Sequence, residues 1–300
     1  MNDYPIQPIS FNRVTVDDSF WSPRLETNRT ATIPVDFQRC EETERILNFD
    51  RAAGVDAGDH AGIFFNDSDV FKVIEGAAYS LQTHADPELD AYLDALIARI
   101  GAAQEPDGYL YTARTIRERQ GHTDRLQAER EGLTRWSNLR VNHELYNVGH
   151  MYEAAVAHYE ATGKRTFLDI ALKNADLVCQ VFGPDARHDV PGHQEIEIGL
   201  VRLYRVTGDE RYLRQAKFFL DQRGQADDRE LYANFENPGY MLDHLPVVEQ
   251  VEAVGHAVRA VYMYAGMADV AALTGDAAYI AALDRLWENV VGRKLYLTGG

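Results

Sequence analysis

One signature recurs along the chain and limits what it can fold into: an apolar helical stripe, then a Thr-Gly pair, then an aromatic five positions beyond the threonine. It stands at Thr162-Gly163 with Phe167, at Thr207-Gly208 with Tyr212, and at Thr274-Gly275 with Tyr279. Asp86-Pro87 with Tyr92 is a looser copy. Before the first pair, Leu145, Val148, Met151, Tyr152, Ala155 and Tyr159 share one helical face; after it Phe167, Ile170, Ala171, Ala175 and Val178 do. A glycine there supplies the left-handed residue that stops a helix, and the aromatic is placed to wedge the two helices. The unit is a helical hairpin. Intervals between copies are unequal and filled by long polar loops, whereas solenoid repeats keep a fixed period. An all-α toroid fits better, with first helices lining a cavity and loops forming its rim.

The rest of the chain is placed around these hairpins. Residues 1–25 read as an extended lead-in, with a strand-like run at Val14-Thr15-Val16 and an aromatic anchor at Ser19-Phe20-Trp21-Ser22-Pro23. A helix is expected from Thr30 to Phe49, starting around Ile33-Pro34. Asn66 to Asp69 offer N-cap chemistry to a helix carrying Val70, Val73, Ile74, Ala77 and Leu81. Asp86-Pro87 opens the next. Residues 113–136, highly charged with little periodicity, are expected to be a loop, as are residues 225–250.

Several classes of function are disfavoured. A net charge of -17 over 300 residues argues against a nucleic-acid partner. The two cysteines, Cys40 and Cys179, form no disulfide or metal framework, and Cys179 reads as a buried free thiol. No signal peptide or membrane-spanning run is visible, so a cytoplasmic location is the default. The stretch from His143 to His150 has no His-Glu-x-x-His spacing, so no metal is expected there, and no glycine-rich phosphate loop is present.

Polar groups open each hairpin's first helix: Asp67 and Asp69, then His143, then His193, then His256. If the first helices run parallel around a cavity, these starts gather at one mouth, together with the positive ends of the helix dipoles. Imidazoles and carboxylates around a concavity suit hydroxyl-rich neutral ligands, because they donate and accept hydrogen bonds. Trp136, Tyr146, Tyr152 and Tyr240 are candidates to stack on sugar faces. The plainer readings are that each histidine is a cap or a satisfied core group, that Asp67 and Asp69 are helix caps, and that Glu195 and Glu197 are first-turn charges complementing the dipole.

The segments SFWSPRL, FFNDSDVFKVIEGAAYSL, AAQEPDGYL, NHELYNVGHMYEAAVAHYEATGK, GHQEIEIGLVRLYRVTGDERYL and GHAVRAVYMYAGMADVAALTGD resemble, in order, the N-terminal portion of glycoside hydrolase family 127, the β-L-arabinofuranosidase-type family. The resemblance implies an (α/α)6 barrel, residues 26–300 forming its N-terminal part, with the active site at one mouth. It implies exo-hydrolysis of a terminal sugar with retention of configuration, on a carbohydrate substrate from plant-derived glycans or glycopeptides. His143, His193 and His256 match sugar-binding histidines, and Gln38 matches a sugar-binding glutamine. The family's nucleophile is a cysteine thiolate on a zinc ion held by further cysteines and a glutamate, with another glutamate as acid/base. Neither Cys40 nor Cys179 falls in that motif. The catalytic groups and zinc ligands are expected beyond Gly300, and the 300 residues alone are expected to be inactive, with about four of six hairpins complete.

Two other readings stand beside this one. An α/α-barrel sugar epimerase using histidine acid/base pairs needs no cysteine or zinc. A non-catalytic helical-repeat scaffold predicts an open array without an enclosed polar pocket. The oligomeric state is left open, a homodimer being one assembly the sequence allows.

Overall fold

The structure, a computed structural model, describes residues 2–121, 134–229 and 237–299, and its regular elements there are helical, without a strand ladder. In chain order these are α1 (Trp21–Thr27), α2 (Ile33–Glu42), α3 (Leu47–Ala53), α4 (Asp67–Thr83), α5 (Pro87–Ala103), α6 (Thr112–Gln120), α7 (Glu144–Thr162), α8 (Thr166–Val181), α9 (Ile196–Thr207), α10 (Glu210–Gln222), α11 (Ala257–Thr274) and α12 (Ala277–Asn289).

Four hairpins make the body: α4/α5, α7/α8, α9/α10 and α11/α12. The three Thr-Gly turns are built alike. Gly163, Gly208 and Gly275 have φ of 73°, 73° and 72°, the left-handed region that a residue with a Cβ enters at a cost. Each threonine hydroxyl donates to the carbonyl one turn back, at 2.7 Å, on His158, Leu203 and Val270 respectively. The same oxygen accepts the N–H two residues on, from Lys164, Asp209 and Asp276. Threonine thus bridges the end of one helix to the start of the next. The Asp86, Asp209 and Asp276 side chains then cap the second helices through the N–H groups of Leu89, Arg211 and Ala278.

The aromatics after the turns are buried, as expected, but they do more than wedge their own hairpin. Tyr212 donates its hydroxyl to Asp176 on α8 at 3.0 Å, and Tyr279 donates to Asp221 on α10 at 2.8 Å. Each therefore ties its outer helix to the preceding one. Phe167 has no hydroxyl and packs its ring towards Phe71 of α4.

The first helices pack side by side in the order α4, α7, α9, α11, with α5, α8 and α10 outside them. Because each hairpin reverses the chain once, the four inner helices run the same way and their N-termini meet at one end. Among the described residues α11 is not closely packed on α4, so these helices form an arc of an α/α barrel. The α7–α9 crossing is close: a Cβ on Gly199 would stand 2.6 Å from the Gly149 carbonyl oxygen, and one on Gly149 would stand 2.7 Å from the Ile196 Cα. Glycine is required there by space alone. At the far end, Asp3 pairs with Arg205 at 2.8 Å and Tyr4 donates to Asp269 at 2.9 Å, laying the N-terminal segment across α9 and α11.

Four local expectations are corrected. Val14–Val16 has no partner strand; the Val16 carbonyl instead accepts from the Ser22 hydroxyl. The helix expected from Thr30 to Phe49 starts earlier, at Trp21, runs through a wider turn at Asn28–Thr32, and breaks after Glu42, where Glu44 has φ of 60°. Within residues 113–136, Thr112–Gln120 is a helix whose buried Ala113 and Ile116 pack on the core, while residues 122–133 lie outside the described residues. Residues 225–250 carry short helical turns at Ala226–Asp228, Pro238–Met241 and Val247–Glu249, and 230–236 lie outside the described residues.

Candidate functional site

The inner-helix starts bring the three predicted histidines together. Ring centroids are 5.5 Å apart for His143 and His193, and 5.9 Å for His193 and His256. Tyr146, on the first turn of α7, sits 4.5 Å from His193, and Phe65, just before α4, stacks on His143 at 4.4 Å. Tyr240 approaches His256 edge-on at 5.5 Å and carries the Arg259 guanidinium over its ring at 4.6 Å.

Each histidine is positioned by its own local device. His143 has φ of 65°, a left-handed residue immediately before α7. Buried Glu144 holds that kink: its carboxylate accepts from the Tyr109 hydroxyl, the Trp136 N–H at 3.1 Å and the Asn142 side-chain amide. His193 follows Gly192, whose N–H donates to the Leu139 carbonyl at 2.9 Å and whose Cβ position is filled by the Arg140 backbone. Buried Arg223 clamps that loop by donating to the carbonyls of Pro191 at 2.8 Å and Met241 at 3.2 Å. His256 is the N-cap of α11, and its N–H donates to the Tyr240 carbonyl at 3.3 Å.

The hydrogen bonds also assign the tautomers. His143 Nδ1 faces the Val141 carbonyl, and His193 Nδ1 faces the Gln194 carbonyl at 2.7 Å. A carbonyl only accepts, so both rings carry the proton on Nδ1 and offer Nε2 as an acceptor. His256 is the reverse. Its Nδ1 accepts the Arg259 N–H at 3.4 Å, which puts the proton on Nε2. Burial keeps the rings neutral: it lowers His143 to about 4 and His193 to about 3, and it lowers His256 with help from Arg259. The mouth therefore presents two acceptors and one donor without a charge on any of the three rings. That suits hydroxyl groups.

The other expected site residues are placed differently. Asp67 is buried and accepts from the N–H and hydroxyl of Thr112; burial raises it to about 6 despite those bonds. Asp69 pairs with Arg45 at 2.8 Å. Neither supplies a side-chain cap to α4, because both carboxylates are already engaged with other segments. Gln38 is exposed on α2 and donates to Glu42 at 2.6 Å, in a cleft it shares with Tyr92 of α5. Of the four stacking candidates, Trp136 and Tyr152 are core residues, the latter bonded to Asn174 at 2.6 Å; Tyr146 and Tyr240 are at the mouth. Glu195 and Glu197, expected as first-turn charges complementing the dipole, are at the start of α9 and fully buried.

Sequence reasoning passed over Phe65, Lys72, His150 and Tyr262. Lys72 donates to the Tyr146 hydroxyl at 2.7 Å, and Tyr262 closes on His193 at 5.8 Å. Their common signal is position: each lies within about two turns of an inner-helix start, on the face that the arc encloses.

A thiolate zinc centre does not fit the cysteines present. Cys40 and Cys179 are both free, one on α2 and one on α8, and burial pushes their thiols up to about 11 and about 12. A metal-ligating thiol needs the opposite shift.

An arc of parallel inner helices with neutral histidines at its mouth defines an α/α-barrel protein. The sequence profile of the β-L-arabinofuranosidase, GH127 catalytic domain matches residues 13–300, and the chain belongs to glycoside hydrolase family 127. It is 38% identical over 275 residues to the non-reducing end β-L-arabinofuranosidase of Bifidobacterium longum subsp. longum, covering 86% of this chain and 40% of that protein. A solved GH127 β-arabinofuranosidase superposes with a TM-score of 0.90 at 53% identity, covering 99% of this chain and 45% of that one. The GH127 β-L-arabinofuranosidase from Geobacillus stearothermophilus T6 does so at 0.86 and 42%, covering 96% and 46%. The chain thus spans less than half the length of each of these relatives. No helix among the described residues is long and apolar enough to cross a membrane.

Proposed function

We propose that the chain forms the sugar-recognition part of a retaining exo-glycosidase that releases a terminal β-L-arabinofuranosyl unit from plant-derived glycans or glycopeptides. The observation that carries this is the meeting of His143, His193 and His256 at one end of the inner helices, as neutral rings of defined tautomer. Two hydroxyls of the sugar donate to Nε2 of His143 and His193, and a third accepts from Nε2–H of His256. Tyr146 and Tyr240 offer apolar ring surface beside them. Gln38 joins the site in this reading only through a side-chain turn away from Glu42.

In this reading the zinc and thiolate chemistry that the resemblance implies is supplied by residues other than Cys40 and Cys179, whose thiols are free and pushed up by burial. The share of these residues is to bind and orient the sugar. A cytoplasmic location belongs to the same reading, and a homodimer is one assembly it allows. Against epimerisation by histidine acid/base pairs stands the burial that holds His143 near 4 and His193 near 3, far from the neutral range such catalysis needs.

The test is hydrolysis of p-nitrophenyl β-L-arabinofuranoside by the enzyme carrying this chain, with each histidine replaced by alanine in turn. Loss of one hydrogen bond to a buried group predicts a fall in kcat/KM of about 10-fold or more for each. Activity indifferent to all three replacements would remove the reading.

A further inference from the structure

Beneath the histidine mouth lies a cluster that sugar recognition leaves unused. His150 and Glu153 lie one turn apart on α7, and Glu195 enters from the start of α9. His150 Nδ1 is 3.3 Å from Glu195 Oε1 and 3.9 Å from Glu153 Oε2. One donor atom from each residue lies within 4.8 Å of the other two.

The cluster is short of partners where it faces inward. Glu195 is 0% exposed, and neither of its carboxylate oxygens has a hydrogen-bond partner. His150 is 4% exposed, and it turns Nδ1 to the two carboxylates while Nε2, on the other side of the ring, has no hydrogen-bond partner. The nearby cations bond or pair with other groups, and Lys72 attracts Glu195 only through space. Arg202 stands 3.8 Å from Glu153 Oε1, the oxygen other than the one nearest His150. Lys72 donates to Tyr146, and Arg223 stands 3.8 Å from Glu197. A fully buried carboxylate flanked by an imidazole and by the second carboxyl of Glu153 calls for a compensating charge.

We propose that His150, Glu153 and Glu195 hold a divalent cation of the zinc class, bridging α7 to α9 below the sugar mouth. The donor set is one imidazole nitrogen and carboxylate oxygens, which suits a borderline ion, and the affinity order places Zn²⁺ above Mn²⁺ at such a set. An ion with bonds of about 2.0–2.2 Å accommodates ligand pairs up to about 4.4 Å apart. Both gaps measured from His150 fall inside that limit. With no thiolate among its ligands, the site is chemically distinct from a cysteine–zinc centre. The ion also accounts for the burial of Glu195. Glu195 is buried at a helix start, where it would bridge to α7, instead of lying on the surface to complement a dipole. The His143–His150 stretch lacks a one-segment zinc motif because the third ligand comes from another hairpin.

The test strips the purified protein with a chelator and titrates it with Zn²⁺ by calorimetry, then repeats this with Glu195→Gln and His150→Phe. Loss of an outer-shell partner alone costs about 10–100-fold in metal affinity, so removing a ligand is expected to weaken this site by more than about 100-fold. Glu195→Gln keeps the shape and, if a proton held the pair together, would mimic the protonated acid. Co²⁺ loaded in place of Zn²⁺ is expected to give visible bands without sulfur-to-metal charge transfer from this site. A thiolate centre elsewhere in the enzyme would show that transfer, and neither variant would alter it. Failure of the arabinofuranosidase assay with Zn²⁺ still bound here would overturn the proposed function and leave the cation site standing. Zn²⁺ binding identical in wild type and both variants, or no binding by folded wild type beyond any thiolate centre, would overturn the cation and leave a shared proton.

Discussion

The two ends of the hairpins are built on opposite plans. At the turn end, α7, α9 and α11 stop in the same way, with threonine, left-handed glycine and buried aromatic in fixed order, and an aspartate caps the second helix after the latter two turns. At the mouth, each inner helix starts differently: a left-handed histidine held by Glu144, a loop clamped by Arg223, and a histidine that caps its own helix. Repetition at one end sets the spacing of the inner helices. Irregularity at the other is then free to aim three rings at a common point. The difference teaches where stability and recognition are separated along a single element.

Substitutions at the turn end are expected to cost stability and leave recognition intact. Phe167→Ala removes a fully buried ring, and a loss of about 3–5 kcal/mol is expected in urea unfolding. At the mouth, His193→Ala is expected to weaken L-arabinose binding by about 10-fold or more, a change of about 1.4 kcal/mol, while the unfolding midpoint moves little. Equal effects of the two substitutions on both readouts would erase the distinction drawn here.

A third effect concerns pH. The unfolded His143 takes up a proton below about pH 6.5, whereas the folded ring does so only near 4. Over that window the unfolded state binds more protons, so stability falls as the pH falls, by at most about 1.4 kcal/mol per pH unit. His143→Gln is expected to flatten that slope, which a pH series of denaturation midpoints would show. Smallest is Tyr212→Phe, which deletes the bond to Asp176 and is expected to cost about 0.5–1.5 kcal/mol with the ring still in place. A cost matching that of Phe167→Ala would mean that the hydroxyl, and not the packed ring, holds the hairpins together.

The same contrast governs how much was legible in the sequence. The hairpins could be read because their signals are local: an apolar period, a glycine stop and an aromatic at fixed offset. The gathering of His143, His193 and His256 followed from them, since equivalent positions in parallel helices share one end. Long-range partners could not be read. Asp67 and Asp69 carry cap-like spacing, yet Thr112 and Arg45 take their carboxylates. Glu195 has the sequence of a surface first turn, yet the Gly149 crossing draws α7 over it and buries it. Trp136 and Tyr152 show how little an aromatic's identity says of whether it faces a ligand or the core.

The most direct measurement is the imidazole ¹⁵N spectrum of the protein at neutral pH, titrated with L-arabinose. The account predicts neutral rings, with the proton on Nδ1 for His143 and His193 and on Nε2 for His256. It also predicts that the Nε2 resonances of all three move together as the sugar binds. Rings that are charged or of the other tautomer, or sugar binding that leaves all three resonances unmoved, would contradict it.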